Sequence, residues 1–550
     1  MYAGRKFSKG DKLAPSGELV IPVVDIRKHH PGDWFFLWDS YFWSGSAAYM
    51  DDNSESVDAA SPGFGSAANS FLDLQNVDET VGCFSLAGLH RSRDAGAGAF
   101  TPFHNRQSIA TQTIQKGQEL FVSYGETWFL VRKSTLGPIP VIGDLPRANH
   151  LLLKWNRLRR KHNFIQPFQD LWQSFVWNSP FLDNSREFFA LPKNWNETDQ
   201  VLKHGLIRHR QLQSIRSDEW FQKHGICGDN LRDDISTIPQ AGRGAFATRR
   251  LRKDSIVAPL PLIHIPDRSR MDIFEKTPDA ALKDDANKKP ISKQLLLNYC
   301  FGHRHSTLLL CPYSLLVGLV NHSREHANVK VQWSDPSRSK HNPEFLDQTI
   351  VDLEKQTWAT LSMEFVALRD IEEGEEILLN YGDEWDEAWK MHLAQWKPLD
   401  DATSYVSPDT FNADPNLILK TVFDEIHDPY PANLQVKMYR AFTDSIWAQR
   451  RLKEMTLPQF LLMGGHDVQT CDILRMHQGS DGKMLYTVVI TELDDFSNEQ
   501  ARVISGVPRE AFLFLDRPGA ADFQQQNVFR HDIRIPDEIF PEPWKNAIVS

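Results

Sequence analysis

Short apolar blocks bounded by Gly and Pro recur along this chain, and several of them read as strands. Two such blocks, ELVIPVVDI (residues 18–26) and VAPLPLIHI (257–265), carry a central proline. Proline cannot donate to a sheet ladder, so each is expected to be an edge or irregular strand. SIATQTIQKG (108–117) and FVALRDIEEG (365–374) each read as a strand running into a tight turn, followed by a second apolar strand, LFVSY or ILLNY. The period becomes helical across residues 136–234. It is clearest in ANHLLLKWNRLRRKH, with Leu151, Leu152, Trp155 and Leu158 on the inward face, and in SDEWFQKHG, which ends at a C-cap Gly225. Helix is expected again after about residue 398, in NLILKTVFDEI and LQVKMYRAFTDSIWAQRRLKE. CDILRMHQGSDGKMLYTVVI then reads as a hairpin and, with AFLFLD, as a small β unit.

The strand-turn-strand block occurs twice. GQELFVSYGETW (117–128) and GEEILLNYGDEW (374–385) share Gly, Glu, Tyr, Gly and Trp at the same relative positions. The two proline-bearing blocks precede them, as do SFLDLQN (70–76) and LLVGLVN (315–321), in the same order in each half. Four ordered blocks predict a duplicated domain. The expected organisation is residues 1–135 as the first copy, 136–234 as a helical connector, 235–398 as the second copy, and 399–550 as a C-terminal helical region with a small β unit.

Composition narrows the class. With 550 residues, 41% hydrophobic and 24% charged, the chain is ordinary globular material for roughly three or four domains. A formal net charge of -11 supplies no general basic surface for phosphates, so no nucleic acid is expected as a partner. The basic run at 154–162 reads as a solvated helix face. No apolar run approaches the roughly 18 residues of a membrane span, and the first residues lack the apolar core of an export signal. An intracellular protein, cytoplasmic or nuclear, with no membrane partner is the expectation. Five scattered cysteines without CxxC spacing argue against a disulfide framework or tetrathiolate zinc site and for a reducing compartment. CFGHRHSTLLLC sets two Cys and two His very close together, so no metal is expected there.

Chemistry concentrates in the second copy. Gly242-Arg243-Gly244 lets backbone amides approach a ligand closely. Asn321-His322-Ser323 follows, then Asn328-Val329, and Asn380-Tyr381-Gly382 lies within the repeated block. In this order and spacing, over about residues 235–395, the chain resembles the SET-domain protein (lysine) methyltransferases. The resemblance implies an α+β, β-rich SET fold of short sheets whose C-terminal segment threads beneath a loop as a pseudo-knot, here duplicated. It implies S-adenosyl-L-methionine as cofactor, held by Gly242, Arg243, Gly244, Asn321 and His322, with Tyr381 as the catalytic residue and a lysine-bearing protein as substrate. Tyr299, Tyr313 and Trp385 are candidate walls of the substrate channel.

The transfer needs a neutral amine, although a lysine ordinarily titrates near 10.4. A narrow apolar channel and a cationic cofactor both disfavour the ammonium, which leaves the protein to align the reactants and supply oriented dipoles. No cysteine lies between Cys311 and Cys471, so a cysteine-rich zinc module after the domain is missing. Cover for the channel is therefore expected from the helical region after residue 386, an arrangement that resembles members acting on non-histone proteins. In the first copy Asn76 matches Asn321, Val77 and Asp78 replace the His and Ser, and the Gly-x-Gly place falls before Met1, so no productive cofactor binding is expected there. The rival reading is a non-enzymatic SET-fold scaffold, which has no need for all three motifs together.

Overall fold

The computed structural model describes residues 1–545 apart from 15, 25–39, 45–56, 81, 163–166, 178–185, 275–288, 357, 444–467, 481, 494–498 and 518. The chain is a mixed α+β protein with β-rich sheets, divided into two compact units. No helix among the described residues is long and apolar enough to cross a membrane.

One unit comprises Met1–Leu13, Ala67–Glu79 and Ser108–Gly225. Its longest helix, Asp144–Lys161, places Leu145, Ala148, Leu152 and Trp155 in a core with Trp172 and Val201. Leu158, expected inside, is instead 48% exposed, because the inward stripe ends a turn earlier at Trp155. The helix Asp218–His224 ends at Gly225 as its sequence predicts, and Ser217 caps its start by accepting from the Trp220 N–H.

The other unit comprises Ala14–Ser66, Thr80–Gln107 and Ile226–Ser550. Its largest sheet has eight strands: β1 (Ile256–Ile265), β2 (Phe301–Gly302), β3 (Leu309–Pro312), β4 (Asn321–His322), β5 (Val329–Trp333), β6 (Leu361–Ala367), β7 (Leu378–Leu379) and β8 (Ile533–Arg534). Their spatial order is β4-β7-β5-β6-β1-β3-β2-β8. β7 is parallel to both neighbours, pairing Leu378 with Asn321 and Leu379 with Val329, and so lies between two strands joined by a short loop. β1 is central, not an edge strand. Its proline-bearing half is nonetheless paired only to β6, with a register shift between Ile256 and Ala258, and pairing to β3 begins at Leu262, beyond both prolines. Glu18–Val24 behaves likewise: it is central in a second sheet, its pairing to Phe103–Arg106 stops at Val20, and Pro22 pairs only with Ala59.

After β7 the chain turns at Gly382, whose φ of 100° a side chain would not accept, and enters helix α1 (Asp383–Gln395). Asp383, Glu384 and Asp386 in its first turn favour the positive end of the helix dipole.

Two expectations for the C-terminal region change. Leu434–Tyr439 is a strand, because Leu434, Val436 and Met438 alternate with polar residues and pair with Phe512–Asp516. Only Val422–His427 of NLILKTVFDEI is helical, started by a capping box between Thr421 and Asp424. With the expected hairpin, Val468–Gln478 and Met484–Leu493, and the further strand Glu499–Pro508, these strands form a five-stranded sheet around Phe442, Tyr486 and Phe514. The stretch 445–454, expected to be helical, lies outside the described residues.

The cysteines also differ from expectation: Cys300 and Cys311 form a disulfide, while Cys83, Cys227 and Cys471 are free. Cys300 directly precedes β2 and Cys311 lies in β3, so antiparallel pairing of these strands brings together two cysteines whose spacing carries no motif.

Candidate functional site

Within the second unit a cavity of about 190 Å³ opens where β4, the end of β7 and α1 meet. Arg243, Asn321, His322, Tyr381 and Trp385 all line it, as does Tyr299. Tyr313 does not; its ring packs 5.0 Å from that of Tyr41.

Asn321 is held at the cavity by its side chain, whose Nδ2 donates to Arg243 O at 2.8 Å and to Ser236 Oγ at 3.0 Å. Ser236 leads on to Glu376, a buried carboxylate that accepts from Ser236 Oγ at 2.7 Å and from the Thr237 N–H at 2.8 Å. A carboxylate taken out of water needs such donors, and here it ties the turn before residues 242–244 to the strand leading into β7. A Cβ on Gly244 would strike that carboxylate, and one on Gly242, where φ is +72°, would strike the Phe100 ring. Arg243 pairs with Asp233, its Nε is buried without a partner, and burial lowers its pKa from the ordinary value. Asn328 closes the other side, donating to Glu376 O at 2.7 Å and accepting from the Leu378 N–H at 2.9 Å.

Tyr381 is fixed at two points. Its N–H donates to His322 Nδ1 at 2.9 Å and its O–H to Val320 O at 2.5 Å. Burial, with Tyr299 close by, pushes its phenol above the ordinary range, so the hydroxyl keeps its proton. Trp385 stands over it with ring centroids 5.2 Å apart, and Phe529 packs edge-on against Trp385 and Trp389 at 5.3 and 5.0 Å.

Further wall comes from residues 238–241, just before the Gly-x-Gly turn, and from residues 99–101. The backbone leading into residues 99–101 is strapped down by side chains from distant parts of the unit. Gln240 accepts from the Gly96 N–H at 2.9 Å, His392 Nε2 meets Ala95 O at 2.9 Å, and Asn298 donates to Ala99 O at 2.6 Å. Tyr299 accepts from the Thr101 N–H at 2.8 Å. Arg530, half-buried, donates to four carbonyls including Gly98 O, and desolvation lowers its pKa to about 9, which leaves it charged at neutral pH. Cover for the cavity was expected from the region after residue 386. Of the helical cover expected there, Trp389 in α1 is present, but Phe529 lies outside any helix and residues 99–101 come from far upstream; the small-residue run DAGAGAF (94–100) leading into them carries no motif that would have shown it. Glu376 had a signal, since it is the Glu of the repeated Gly-x-Glu.

Residues 242–382 match the SET domain family model. This SET domain therefore spans Gly242 through Gly382 and holds Asn321, His322 and Tyr381 of the cavity. No curated protein matches the chain. Among solved structures, a Plasmodium falciparum protein described as a histone methyltransferase is 19% identical with a TM-score of 0.17, over 28% of this chain and 96% of that one. The polycomb repressive complex 2 of Chaetomium thermophilum is 18% identical with a TM-score of 0.19, over 32% of this chain and 18% of that one. The same complex bound to S-adenosylmethionine is 18% identical with a TM-score of 0.18, over 34% and 18% of the two chains. Among the described residues, no group of three or more His, Cys, Asp or Glu side chains is placed to hold a metal ion.

Outside the SET domain, the first block repeats much of its hydrogen bonding. The Tyr124 O–H donates to Ala68 O at 2.7 Å, and its N–H to Ser70 Oγ at 3.2 Å. Asn69 donates to Glu119 Oε1 at 2.7 Å. Asn76 donates to Glu119 O at 2.9 Å and accepts from the Phe121 N–H at 2.8 Å. Asn76 thus does what Asn328 does, and Asn69 what Asn321 does, which corrects the match of Asn76 with Asn321. The blocks SFLDLQN and LLVGLVN align on apolar pattern alone. The asparagines of each pair are seven residues apart, so the apolar match slipped by that interval. Val77 and Asp78 accordingly do not replace His322 and Ser323; Val77 pairs with Ala110 as Val329 pairs with Ala367.

Proposed function

We propose that the chain is an S-adenosylmethionine-dependent protein-lysine N-methyltransferase acting through the second block, on a non-histone protein. The observation that carries this reading is that one cavity of the SET domain gathers Arg243, Asn321, His322, Tyr381 and Trp385. The residues fit the cofactor. The partnerless buried Nε of Arg243 is a donor suited to a carboxylate, and the aromatic rings of Trp385 and Phe529 suit a flat base and a cation. Residues 242–244 and the backbone at Asn321 and His322 would hold it, and when bound it supplies a methyl group on a sulfonium. The chain's own part is to strip water from the lysine, favour its neutral amine in an aromatic channel beside the charged Arg530, and hold it in line against the oxygen of Tyr381. Placement of β7 between β4 and β5 supports the pseudo-knot reading.

The matching bonds at Tyr124, Asn69 and Asn76 support reading residues 1–135 as a second SET-like copy. In that copy Ser70 stands where His322 does in the other, and we read it as not binding the cofactor productively. The lack of any cysteine between Cys311 and Cys471 supports a non-histone substrate.

Calorimetric titration of S-adenosylmethionine tests the reading. Saturable binding to the wild type, weakened at least tenfold in Asn321→Ala, is expected, while no binding to folded wild type refutes the enzyme. Transfer of labelled methyl to histones in preference to other lysine-bearing proteins would overturn the substrate class.

A further inference from the structure

Both ring nitrogens of His322 are committed inside the protein. Nδ1 accepts the Tyr381 N–H at 2.9 Å, so the ring proton belongs on Nε2, which faces Asp386 Oδ1 at 2.9 Å. Asp386 sits in the first turn of α1 with its side chain only 16% exposed, and its other oxygen faces Arg324 Nη1 at 3.7 Å. The imidazole is walled by Tyr381 and Trp385, with centroids 5.3 and 4.7 Å away. It cannot turn without breaking one of its two bonds. A carboxylate, an imidazole and a backbone N–H thereby form a chain that ends at the residue whose phenol lines the cavity.

The first block supplies a comparison within the same molecule. Tyr124 keeps its phenol-to-carbonyl bond, and Asn69 and Asn76 keep their partners, so these features belong to the architecture of both blocks. At the Tyr124 N–H, however, the acceptor is the Ser70 hydroxyl at 3.2 Å, a rotor that fixes no ring. Trp128 is followed by Phe129, whereas Trp385 is followed by Asp386. Histidine and aspartate are therefore both absent from the matching positions of the first block, and both present in the block whose Tyr-Gly element lines the cavity.

Resting on the methyltransferase reading, we infer that Asp386 is a positioning residue, which locks the His322 ring and through it holds Tyr381 in register with the cavity. Asp386 does not line the cavity and touches no reacting atom. An aspartate that only capped α1 would leave the imidazole unchanged when removed.

The test uses the full-length chain with ¹⁵N-labelled histidine, the His322 signals being assigned by their loss in His322→Gln. The wild type is expected to show Nε2 protonated and Nδ1 bare, and Asp386→Ala is expected to disturb this pattern. Single-turnover transfer of labelled methyl from S-adenosylmethionine to a lysine peptide library is expected to fall at least tenfold in Asp386→Ala, with the calorimetric Kd for S-adenosylmethionine within threefold of wild type. Asp386→Asn, whose amide oxygen still accepts from Nε2–H, is expected to recover most of the loss and guards against misfolding of the alanine variant. An unchanged His322 pattern in Asp386→Ala, transfer equal to wild type, or a loss that follows Kd would overturn the inference. Absent cofactor binding together with a disturbed His322 pattern would refute the methyltransferase reading and leave the positioning link standing.

Discussion

At the scale of single residues, the site rests on few side chains with many partners. Asn321, Asn328 and Glu376 form one connected set, in which each amide or carboxylate spans segments far apart in sequence. Asn321 carries this set to the cavity, where Tyr381 also lies, and the raised phenol pKa of Tyr381 means its hydroxyl remains protonated. Removing only the hydroxyl, in Tyr381→Phe, takes away the bond to Val320 O and the oriented dipole while the ring still packs against Trp385. Methyl transfer is expected to fall by about 10²-fold or more, the scale for losing one preorganised polar group, with the melting temperature little changed. Turnover close to wild type in that variant would remove Tyr381 from the chemistry. These residue types were legible in the sequence because each sits in a short motif. Asp386 and Arg530 were not, since a lone acid or base acquires a role only through what packs beside it.

Among elements, alternation was a good guide where strands are short and one-sided, and a poor one where helix formers interrupt it. Leu434–Tyr439 illustrates the difficulty: LQVKMY carries Leu, Gln, Lys and Met, all good helix formers, yet pairing with Phe512–Asp516 decides for strand. The β2–β3 hairpin shows the same override. Its Cys300–Cys311 disulfide closes a short loop, and the chain-entropy argument gives it about 2–3 kcal/mol of stability. Urea unfolding of a Cys300→Ser, Cys311→Ser double variant is expected to show a loss of that size against the oxidised wild type, and no difference once the wild type is reduced. Matching midpoints for the oxidised wild type and the double variant would show that the bond contributes nothing.

At the scale of the whole molecule, ionisable groups buried between elements join the C-terminal sheet to the rest of its unit. Asp516 accepts from Tyr405 O–H at 3.1 Å and from Asn433 Nδ2 at 2.9 Å, yet burial raises its pKa from 3.8 to about 6. A carboxyl whose folded pKa lies above its unfolded value favours folding most when protonated, so its contribution declines as pH rises from about 4 to about 6 and stays low above that. Relative to wild type, Asp516→Asn should therefore be most favoured at pH 7, with an advantage that shrinks by up to about 3 kcal/mol as pH falls to 4. Chemical denaturation at several pH values reads this directly, and a pH-independent gap would refute the assignment. Local features were legible in the chain alone: the repeated Tyr-Gly block, the Gly-x-Gly turn, the Asn-His pair and many strand positions depend on neighbours within a few residues. Tertiary structure decided the rest. Which asparagine of the first block does the work of Asn321, which carboxylate holds His322, which two cysteines meet, and that residues 99–101 wall the cavity all depend on contacts between segments tens to hundreds of residues apart, and such contacts leave no periodic or spacing signature in the chain.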